Sequence, residues 1–501
     1  MSVRSFEVRE THAGAVFLVG EHAYKLKKPV DLGFLDFRTR ASRLEACHRE
    51  VLLNRRLARD VYLGVADVSG ADGKPCDHLV VMQRMPEDRR LAALVAAGAL
   101  VEDEVVRLAR VVAAFHAGAH RSLEISREGT RDAIRARWRA SLDQVESISA
   151  GVLDPELMAE IRWQVEHFLE GREPLFAGRV AAGRIVDGHG DLLADDIFCL
   201  DDGPRILDCL DFDDRLRYLD GLDDIAFLAM DLERLGAPEL AALLLDRYAE
   251  FSGDSAPASL REHYLAYRAF VRVKVACLRH TQGDPSAAEQ ARTYAAITLE
   301  HLRRGAVRLV LVGGLPGTGK TTLAGRLADR LGAVLLGSDR LRKELAGRDP
   351  ADSAAASYLD GIYTPEHTER VYRELLHRAE NLLARGESVI LDASWTSAAH
   401  RAAARAVADR TSCVRGEFCC EAPVALAAAR LRTRVGSCSD ATSAIATAMA
   451  AAMNPWPEAS VVSTAAPPDV VLAAALRVLG PLVHAAVSPA ALQPDHSSGV
   501  G

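Results

Sequence analysis

The chain has 501 residues, a formal net charge of −8, 49% hydrophobic residues and 26% charged residues. Its length exceeds what one hydrophobic core supports, so we expect roughly two to four folding units. The composition excludes a disordered or fibrous chain, and the negative charge argues against a large basic surface for duplex nucleic acid. No apolar run approaches about 18 residues and the first residues are charged, so we expect a cytoplasmic protein without a membrane segment or signal peptide.

Lysine is rare in this chain. Only seven of the 61 basic residues are lysines, and three of them, Lys25, Lys27 and Lys28, lie close together near the start. Because arginine is used almost everywhere else, a lysine indicates a position where a compact ammonium group is required. The cluster is therefore a candidate site, with surface charge as the alternative.

The first 85 residues are predicted to form a small mixed lobe. The expected elements are strands within 6–30 joined by a turn at Gly20, a helix over 40–60 and a buried strand over 77–85. Residues 86–300 are predicted to form a mostly helical lobe. Its expected elements are helices over 91–118, 131–149 and 155–170, a short segment containing strands over 184–212, and helices over 221–303.

A different pattern begins at Val307. A strand there and strands near 333–336, 388–392 and 413–419 are separated by helices, which is typical of a doubly wound parallel α/β sheet. We expect this domain to cover 306–485. Residues 281–305 are the predicted junction, and 486–501 are a predicted disordered tail.

Residues 314–321, GLPGTGKT, fit the phosphate-binding P-loop pattern between a predicted strand and a predicted helix. Glycines let backbone N–H groups point at phosphate oxygens, and the helix N-terminus adds partial positive charge. In such a loop the lysine reaches the β and γ phosphates and the following hydroxyl binds Mg²⁺. The predicted ligands of ATP and Mg²⁺ are Gly314, Gly317, Thr318, Gly319, Lys320, Thr321 and Thr322.

Two carboxylates follow strands of the same domain. Asp392 ends the apolar stretch 389–391, as a magnesium-binding Walker B residue should. Asp339 follows the second strand, at the edge where open α/β sheets bind ligands. The segment Gly337-Ser338-Asp339 with Arg342 resembles the acceptor motif of P-loop kinases related to polynucleotide kinase and zeta toxin.

That resemblance implies that Asp339 is a catalytic base and that Arg342 binds an anionic group of the acceptor. It also implies a lid arginine over the γ-phosphate, for which Arg430, Arg432 and Arg434 are candidates, with a solvated helix face as the alternative for each. Residues 306–485 contain 20 basic and 18 acidic residues. This balance argues against a polynucleotide acceptor without excluding a short one.

The first half has its own pair of acids. His189-Gly190-Asp191 opens a loop, and Asp208 ends the next apolar strand. Phosphoryl transfer needs one carboxylate to orient or deprotonate a hydroxyl and another to hold magnesium. The pattern resembles the aminoglycoside phosphotransferase family, which implies that Asp191 is the base and Asp208 the main magnesium ligand. The family has asparagine where this chain has Asp196, a residue that can still bind Mg²⁺ through oxygen.

The small lobe of such a kinase pairs a lysine with a helical glutamate. Lys25 and Lys27 alternate onto one strand face, so either can serve, whereas Lys28 points the other way. Glu50 is the expected partner and Glu45 the second choice. No glycine-rich loop precedes the lysines, since His12-Ala-Gly14 is a poor substitute, and residues 82–85 are the expected hinge for adenine.

The two halves together resemble bacterial bifunctional proteins in which an aminoglycoside-phosphotransferase-like domain is fused to a P-loop ATP-binding domain. The resemblance implies transfer of phosphate from ATP to a hydroxyl of a small molecule, with the P-loop domain as a second kinase or a regulatory ATPase. The alternatives are a nucleotide sensor with an inactive kinase-like half and a kinase of nucleic-acid 5′-hydroxyls. Acidic residues after Asp208 indicate either a site for a cationic acceptor or a solvated acidic surface: Asp211, Asp213, Asp214, Asp220, Asp223 and Asp224.

Overall fold

The computed structural model describes residues 6–10, 14–30, 36–349, 361–433 and 443–480. The first part of the chain forms an antiparallel sheet and one helix, and the strand order of the sheet is β1-β2-β3-β5-β4. Their bounds are β1 Phe6–Glu10, β2 Gly14–Val19, β3 His22–Lys27, α1 Arg40–Asn54, β4 Tyr62–Ser69 and β5 Pro75–Gln83. The apolar face of this sheet packs on Cys47 and Val51 of α1.

The next part of the chain is mostly helical. Its helices are α2 Leu91–Ala96, α3 Glu102–Gly118, α4 Leu123–Glu128, α5 Arg131–Ile148, α6 Pro155–Glu170, α7 Glu173–Ala181, α8 Gly221–Arg234, α9 Pro238–Ser252, α10 Ala258–Thr281 and α11 Ala287–Arg304. Two small antiparallel pairs interrupt them: β6 Ile185–Asp187 with β9 Tyr218–Asp220, and β7 Ile197–Leu200 with β8 Gly203–Ile206. Phe198 and Leu207 join the core of the small sheet, which brings the segment before Asp208 against that sheet.

Two predicted helices are shorter than expected. The helix predicted over 40–60 ends at Asn54, whose side chain turns back to the Glu50 carbonyl. The chain then forms β4, which the sequence analysis missed. The helix predicted over 91–118 is interrupted, because Gly98 takes a left-handed conformation with φ of 66° and separates α2 from α3.

The second half contains a five-stranded parallel sheet with strand order β11-β12-β10-β13-β14. The strands are β10 Arg308–Gly313, β11 Val334–Gly337, β12 Val389–Asp392, β13 Val414–Glu421 and β14 Ser460–Ser463. The helices are α12 Lys320–Leu331, α13 Ser338–Leu345, α14 Pro365–Leu383, α15 Ala398–Arg410, α16 Val424–Arg432, α17 Ser443–Ala451 and α18 Pro468–Val478. The predicted fold class, a bilobal kinase-like unit followed by a doubly wound P-loop unit, is confirmed, and β14 is an unpredicted fifth strand.

The two halves share one continuous apolar core, which contains residues of α5, α10 and α11 together with β10, α14 and β12. At their contact the Ser259 hydroxyl donates to the Gly386 carbonyl at 2.7 Å, and the Arg172 guanidinium donates to the Thr411 carbonyl at 2.6 Å. Gly386 precedes β12 and Thr411 precedes β13. The first half therefore contacts the amino-terminal ends of these parallel strands, and the P-loop lies at their carboxyl ends. Most of the predicted junction over 281–305 is the helix α11, as its helical composition indicates.

Some predicted features lie outside the described residues: His12, Arg434 and the tail over 486–501. The exact domain boundaries stay a prediction. Over the part of the chain that the structure describes, no helix has both the length and the hydropathy to cross a membrane.

Candidate active sites

Two lysines of β3 converge on one glutamate of α1. Lys25 Nζ lies 2.9 Å from Glu50 Oε1 and Lys27 Nζ lies 2.8 Å from Glu50 Oε2. Glu50 is buried, and the two cations keep its pKa below the usual value in spite of that burial. Glu45, the second choice, is exposed, and Lys28 points away to Glu10 at 3.0 Å. Strand alternation places Lys25 and Lys27 together, as expected for i and i+2.

The same lysines contact the segment that begins at Asp208. Lys25 Nζ lies 2.7 Å from Asp208 Oδ1, and Lys27 Nζ lies 3.0 Å from Asp211 Oδ2. The Lys25 ammonium holds the pKa of Asp208 below its usual range. Asp208 has a left-handed φ of 62°, a conformation rare outside glycine that is often found at functional sites. Its amide donates to the Tyr62 hydroxyl at 3.3 Å.

The loop that carries Asp191 is hydrogen-bonded to a buried carboxylate of α8. The amides of His189 and Gly190 donate to Asp224 at 2.6 Å and 2.9 Å. His116 Nε2 lies 3.0 Å from the same carboxylate. Burial opposes the charge of Asp224, but the hydrogen bonds from His116 and His189 outweigh it and lower the pKa. These hydrogen bonds stabilise the conformation of the loop, and the sequence analysis missed this role of Asp224.

The expectation of an acidic surface after Asp208 is wrong for three residues, since Asp220, Asp223 and Asp224 are all buried. Asp220 pairs with Arg179 at 2.6 Å and Asp223 pairs with Arg268 at 2.7 Å. The other three acids are paired as well: Asp211 with Lys27, Asp213 with Arg215, and Asp214 with Arg49 and Arg217. Asp220, Asp223 and Asp224 are thus used internally, whereas Asp213 and Asp214 stay partly exposed.

Asp191 and Asp196 share the cleft with Asp208. Burial raises the pKa of Asp191 to about 6, and although Arg272 opposes this shift, Asp208 reinforces it. Burial, together with Asp208 and Asp191, raises the pKa of Asp196 well above its usual range. Among the described residues no group of three or more His, Cys, Asp and Glu side chains is arranged to hold a metal ion. Asp208 and Asp196 are carboxylates of this cleft that a metal ion could use, and a bound triphosphate would have to supply further ligands.

The hinge over 82–85 links the lobes. The Gln83 amide donates to the Val61 carbonyl at 2.8 Å, and the Arg84 amide donates to the Glu21 carbonyl at 2.9 Å. These two donors are already used within the small lobe, so an adenine ring would have to use other groups of the hinge.

The P-loop connects β10 to α12 and lines one side of an open cavity of about 400 Å³. Gly317 and Gly319 both have φ of 83°, and Gly314 has φ of 134°, conformations that other residues rarely adopt. A Cβ at Gly314 would lie 2.5 Å from the Cys420 carbonyl oxygen, and one at Gly317 would lie 2.6 Å from that of Ala427. The loop is thus closely packed against Cys420 and Ala427 at these two glycines. Lys320, Thr321 and Thr322 line the cavity at the start of α12.

Asp392 and Asp339 lie at the same edge of the sheet as the P-loop. Asp392 is paired in register with Val312 of β10 on one side and with Gly337 of β11 on the other. Asp339 is in the first turn of α13, which begins at Ser338, directly after Gly337. The carboxyl ends of three neighbouring parallel strands therefore bring both acids and the P-loop to one edge, as such sheets do for ligand sites.

Arg342 and Arg430 occupy different surroundings. Arg342 is buried and donates to the Ile362 carbonyl at 2.9 Å and to Thr368 Oγ1 at 3.0 Å. Arg430 lies against the P-loop, where it donates to the Thr464 carbonyl at 2.8 Å. Of the three lid candidates, Arg430 lines the cavity, Arg432 is exposed, and Arg434 lies outside the described residues.

A family model described as an AAA domain matches residues 309–456, which include the P-loop, Asp339 and Asp392. The uncharacterised protein Rv2004c of Mycobacterium tuberculosis is 45% identical over 461 residues, which is 92% of this chain and 93% of that protein. This chain belongs to the same family. Its members therefore share both halves, because the alignment covers nearly all of each chain.

Two solved structures illustrate the likeness of each half. The GDP and kanamycin complex of APH(2")-IIia is 15% identical, covers 59% of this chain and 93% of that chain, and has a TM-score of 0.41. A sugar kinase from Janibacter sp. HTCC2649 is 22% identical, covers 34% of this chain and 94% of that chain, and has a TM-score of 0.29. At these TM-scores the likeness carries no conclusion, and the kinase-like arrangement rests on the topology and contacts described above.

Proposed function

We propose that the first half is an ATP-dependent phosphotransferase that transfers the γ-phosphate to a hydroxyl group of a small molecule. The observation that carries this proposal is the position of Lys25, which bridges Glu50 and Asp208 beside a loop whose Asp191 is held by buried Asp224. An ammonium group, a metal-binding carboxylate and a base in one cleft are the groups that phosphoryl transfer uses. We place this activity in the cytoplasm, where ATP is available.

In this proposal Asp191 accepts the proton of the acceptor hydroxyl. The hydroxyl oxygen forms a bond to the γ-phosphorus, and the bond between the γ-phosphorus and the oxygen that bridges it to the β-phosphate breaks. The products are a phosphate ester and ADP, and the proton stays on the Asp191 carboxyl group until it passes to solvent. Lys25 binds the phosphates, and Glu50 orients Lys25. Asp208 and Asp196 would hold Mg²⁺, which neutralises charge on the phosphates when bound.

The second half binds ATP at the P-loop as a second kinase or as a regulatory ATPase. The P-loop glycines Gly314, Gly317 and Gly319, with Thr318 and Thr322, would surround the phosphates. Lys320 would bind their oxygens, Thr321 and Asp392 would hold Mg²⁺, and Arg430 would close the cavity beside the loop. As a second kinase, this half would use Asp339 as the base and Arg342 for an anionic group of the acceptor.

The test is ATP binding and hydrolysis with magnesium by four proteins: the wild type, Lys320→Ala, Asp208→Ala and the double variant. We expect two separable losses, one for each variant, and no binding by the double variant. If Lys320→Ala alone removes all binding and hydrolysis, the first half is not a phosphotransferase.

Asp196 favours a second candidate, a nucleotide sensor with an inactive kinase-like half, because a carboxylate at this position adds repulsion near polyphosphate. Asp196→Asn distinguishes the two. A sensor gains magnesium-dependent ATP binding in its first half through this change, whereas an active kinase already has it. The third candidate, a 5′-hydroxyl kinase at Asp339, requires labelled phosphate to reach an oligonucleotide.

A further inference from the structure

Helix α10 runs past the loop that carries Asp191. Its Arg268 donates through Nη1 to the Gly190 carbonyl at 3.3 Å and pairs with Asp223 at 2.7 Å. Arg272 follows four residues later, so it lies one turn along the same face of the helix. Arg268 therefore stabilises the loop. Arg272 is the next arginine on the same face of α10.

Arg272 has no ion pair or hydrogen bond with any residue that the structure describes. Its Nε is buried without a partner, and its guanidinium lies 5.9 Å from the ring centroid of Tyr294. The residue is only partly buried, so the outer guanidinium nitrogens remain accessible. A partly buried cation without an anion is unfavourable, whereas Arg234 of α8 pairs with Asp231 at 2.7 Å.

The electrostatic influence of Arg272 reaches the proposed base. Among the charged groups that act on Asp191, Arg272 is the strongest and opposes the rise of its pKa. No hydrogen bond or ion pair joins the two within the described residues, and Arg272 lies one helical turn from Arg268, which contacts the loop at Gly190. A molecule bound beside this loop would have its hydroxyl at Asp191 and another group at the guanidinium.

The charges beside this loop determine which acceptors suit it. Asp220, Asp223 and Asp224 are buried in internal pairs, and the acids that remain in the cleft, Asp191, Asp196 and Asp208, are the ones that the proposed transfer itself uses. Arg272 repels cations and presents a planar fork of N–H donors that matches a carboxylate or phosphate.

We propose that the acceptor of the first half is a hydroxyl compound that also carries a carboxylate or phosphate group, and that Arg272 binds this group. The inference rests on the proposed phosphotransferase function of the same cleft. The anion would complete the pairing of Arg272 and hold the hydroxyl beside Asp191, so Arg272 determines specificity rather than performing proton transfer.

The test uses the full chain with Lys320→Ala, which removes binding at the P-loop. MgADP is added first and its binding is measured by calorimetry. Four small probes are then titrated: glycerate for a carboxylate, glycerol 3-phosphate for a phosphate, and glycerol and ethanolamine as uncharged and cationic matches. We expect at least one anion to bind at least tenfold more tightly than glycerol or ethanolamine. Arg272→Gln should remove that preference, and Arg272→Lys should retain part of it.

Arg110→Gln is the matched control, because Arg110 is also an arginine that lies over an aromatic ring, that of Phe251, at 5.0 Å. The proposal is overturned if neither anion binds, if ethanolamine or glycerol binds equally well, or if Arg272→Gln and Arg110→Gln behave alike. It is also overturned if Arg272→Gln weakens MgADP binding instead of anion binding. A failure of MgADP to bind counts against the phosphotransferase function, and the anion titration then still decides the role of Arg272.

Discussion

Glu50 is bound by two lysines, and each lysine has a second acidic partner. Lys25 continues to Asp208 and Lys27 continues to Asp211. Arg49 of the same helix donates to the Asp211 carbonyl at 2.6 Å. Helix α1 is thus tied at several points to the segment that carries the proposed magnesium ligand, so the sheet, the helix and this segment are positioned together.

His301 is a second residue whose charge depends on its neighbours. It lies between Glu233 of α8 and Glu262 of α10, with both carboxylates 2.7 Å from its ring nitrogens. Burial by itself would lower the pKa of His301, but the two carboxylates outweigh burial and raise it to about 9.

We expect His301 to make stability depend on pH above neutrality. Because its pKa is higher in the folded protein than in the unfolded chain, where it is about 6.5, its contribution is complete below about pH 6.5. The contribution is lost as the pH rises to about 9. The difference in free energy of unfolding between wild type and His301→Gln should fall by roughly 3 kcal/mol between pH 6 and pH 10. Denaturant titrations at several pH values measure it, and a difference that does not change with pH would contradict this assignment.

Helix α8 shows how an element can be misjudged from its composition. Its residues GLDDIAFLAMDLER contain three aspartates, which in a sequence suggest a solvated face. In the structure the helix is buried along most of its length, and Asp223, Asp224 and Asp231 each serve a specific partner: Arg268, the His189–Gly190 amides, and the Ala194 amide with Arg234. The surrounding apolar residues were the available signal, since a helix that is apolar on most sides is buried.

Removing the charge of Asp224, which accepts hydrogen bonds from the loop that carries Asp191, should affect the proposed transfer in the first half alone. Asp224→Asn keeps the shape of the side chain but replaces one acceptor oxygen by a donor, so it cannot accept from both the His189 and Gly190 amides. With Lys320→Ala present, we expect kcat of the first half to fall by about 10- to 100-fold through misplacement of Asp191. Asp246→Asn, an exposed aspartate of α9 paired with Arg261, is the control. Equal activity of the two variants would show that Asp224 does not position the loop.

The contact between the two halves contains a fully buried arginine whose hydrogen-bond partners are backbone carbonyls. Arg172 donates to the carbonyls of Gly171, Thr411 and Ser412 at 3.0 Å, 2.6 Å and 3.4 Å. Its guanidinium lies 5.6 Å from the ring centroid of Phe168, and burial lowers its pKa to about 10. Among the described residues it has no carboxylate partner, so its position depends on the carbonyl groups of both halves being close together.

Gly171 allows this approach. A Cβ there would lie 2.0 Å from the Thr411 carbonyl oxygen, so Gly171→Ala should force the halves apart at this point and cost about 1–3 kcal/mol. We expect wild type to unfold in one calorimetric transition because the core is shared, and the variant to unfold in two. The transition of the P-loop half is identified by its shift with MgATP. Gly178→Ala on α7, where a Cβ meets no atom within 4 Å, is the control, and matching profiles would show that the contact does not couple the halves.

The sequence was sufficient for the parts whose chemistry is local. The P-loop is defined by eight consecutive residues between a strand and a helix, because phosphate binding uses the backbone of one turn. Strand alternation placed Lys25 and Lys27 on one face, and the resemblance to aminoglycoside phosphotransferases pointed to Glu50 as their partner. Asp191, Asp208, Asp339 and Asp392 were found because each follows an apolar strand or opens a short motif.

The tertiary structure decided the rest, because the relevant partners are far apart along the chain. The role of Asp224 depends on a loop 35 residues away, and the isolation of Arg272 depends on which acids other arginines have paired with. Likewise, the position of the first half at the amino-terminal ends of the parallel strands depends on carbonyl groups about 240 residues from Arg172. Charge and hydrophobicity along a sequence show which groups are available, but only packing determines which of them neutralise each other and which remain for a ligand.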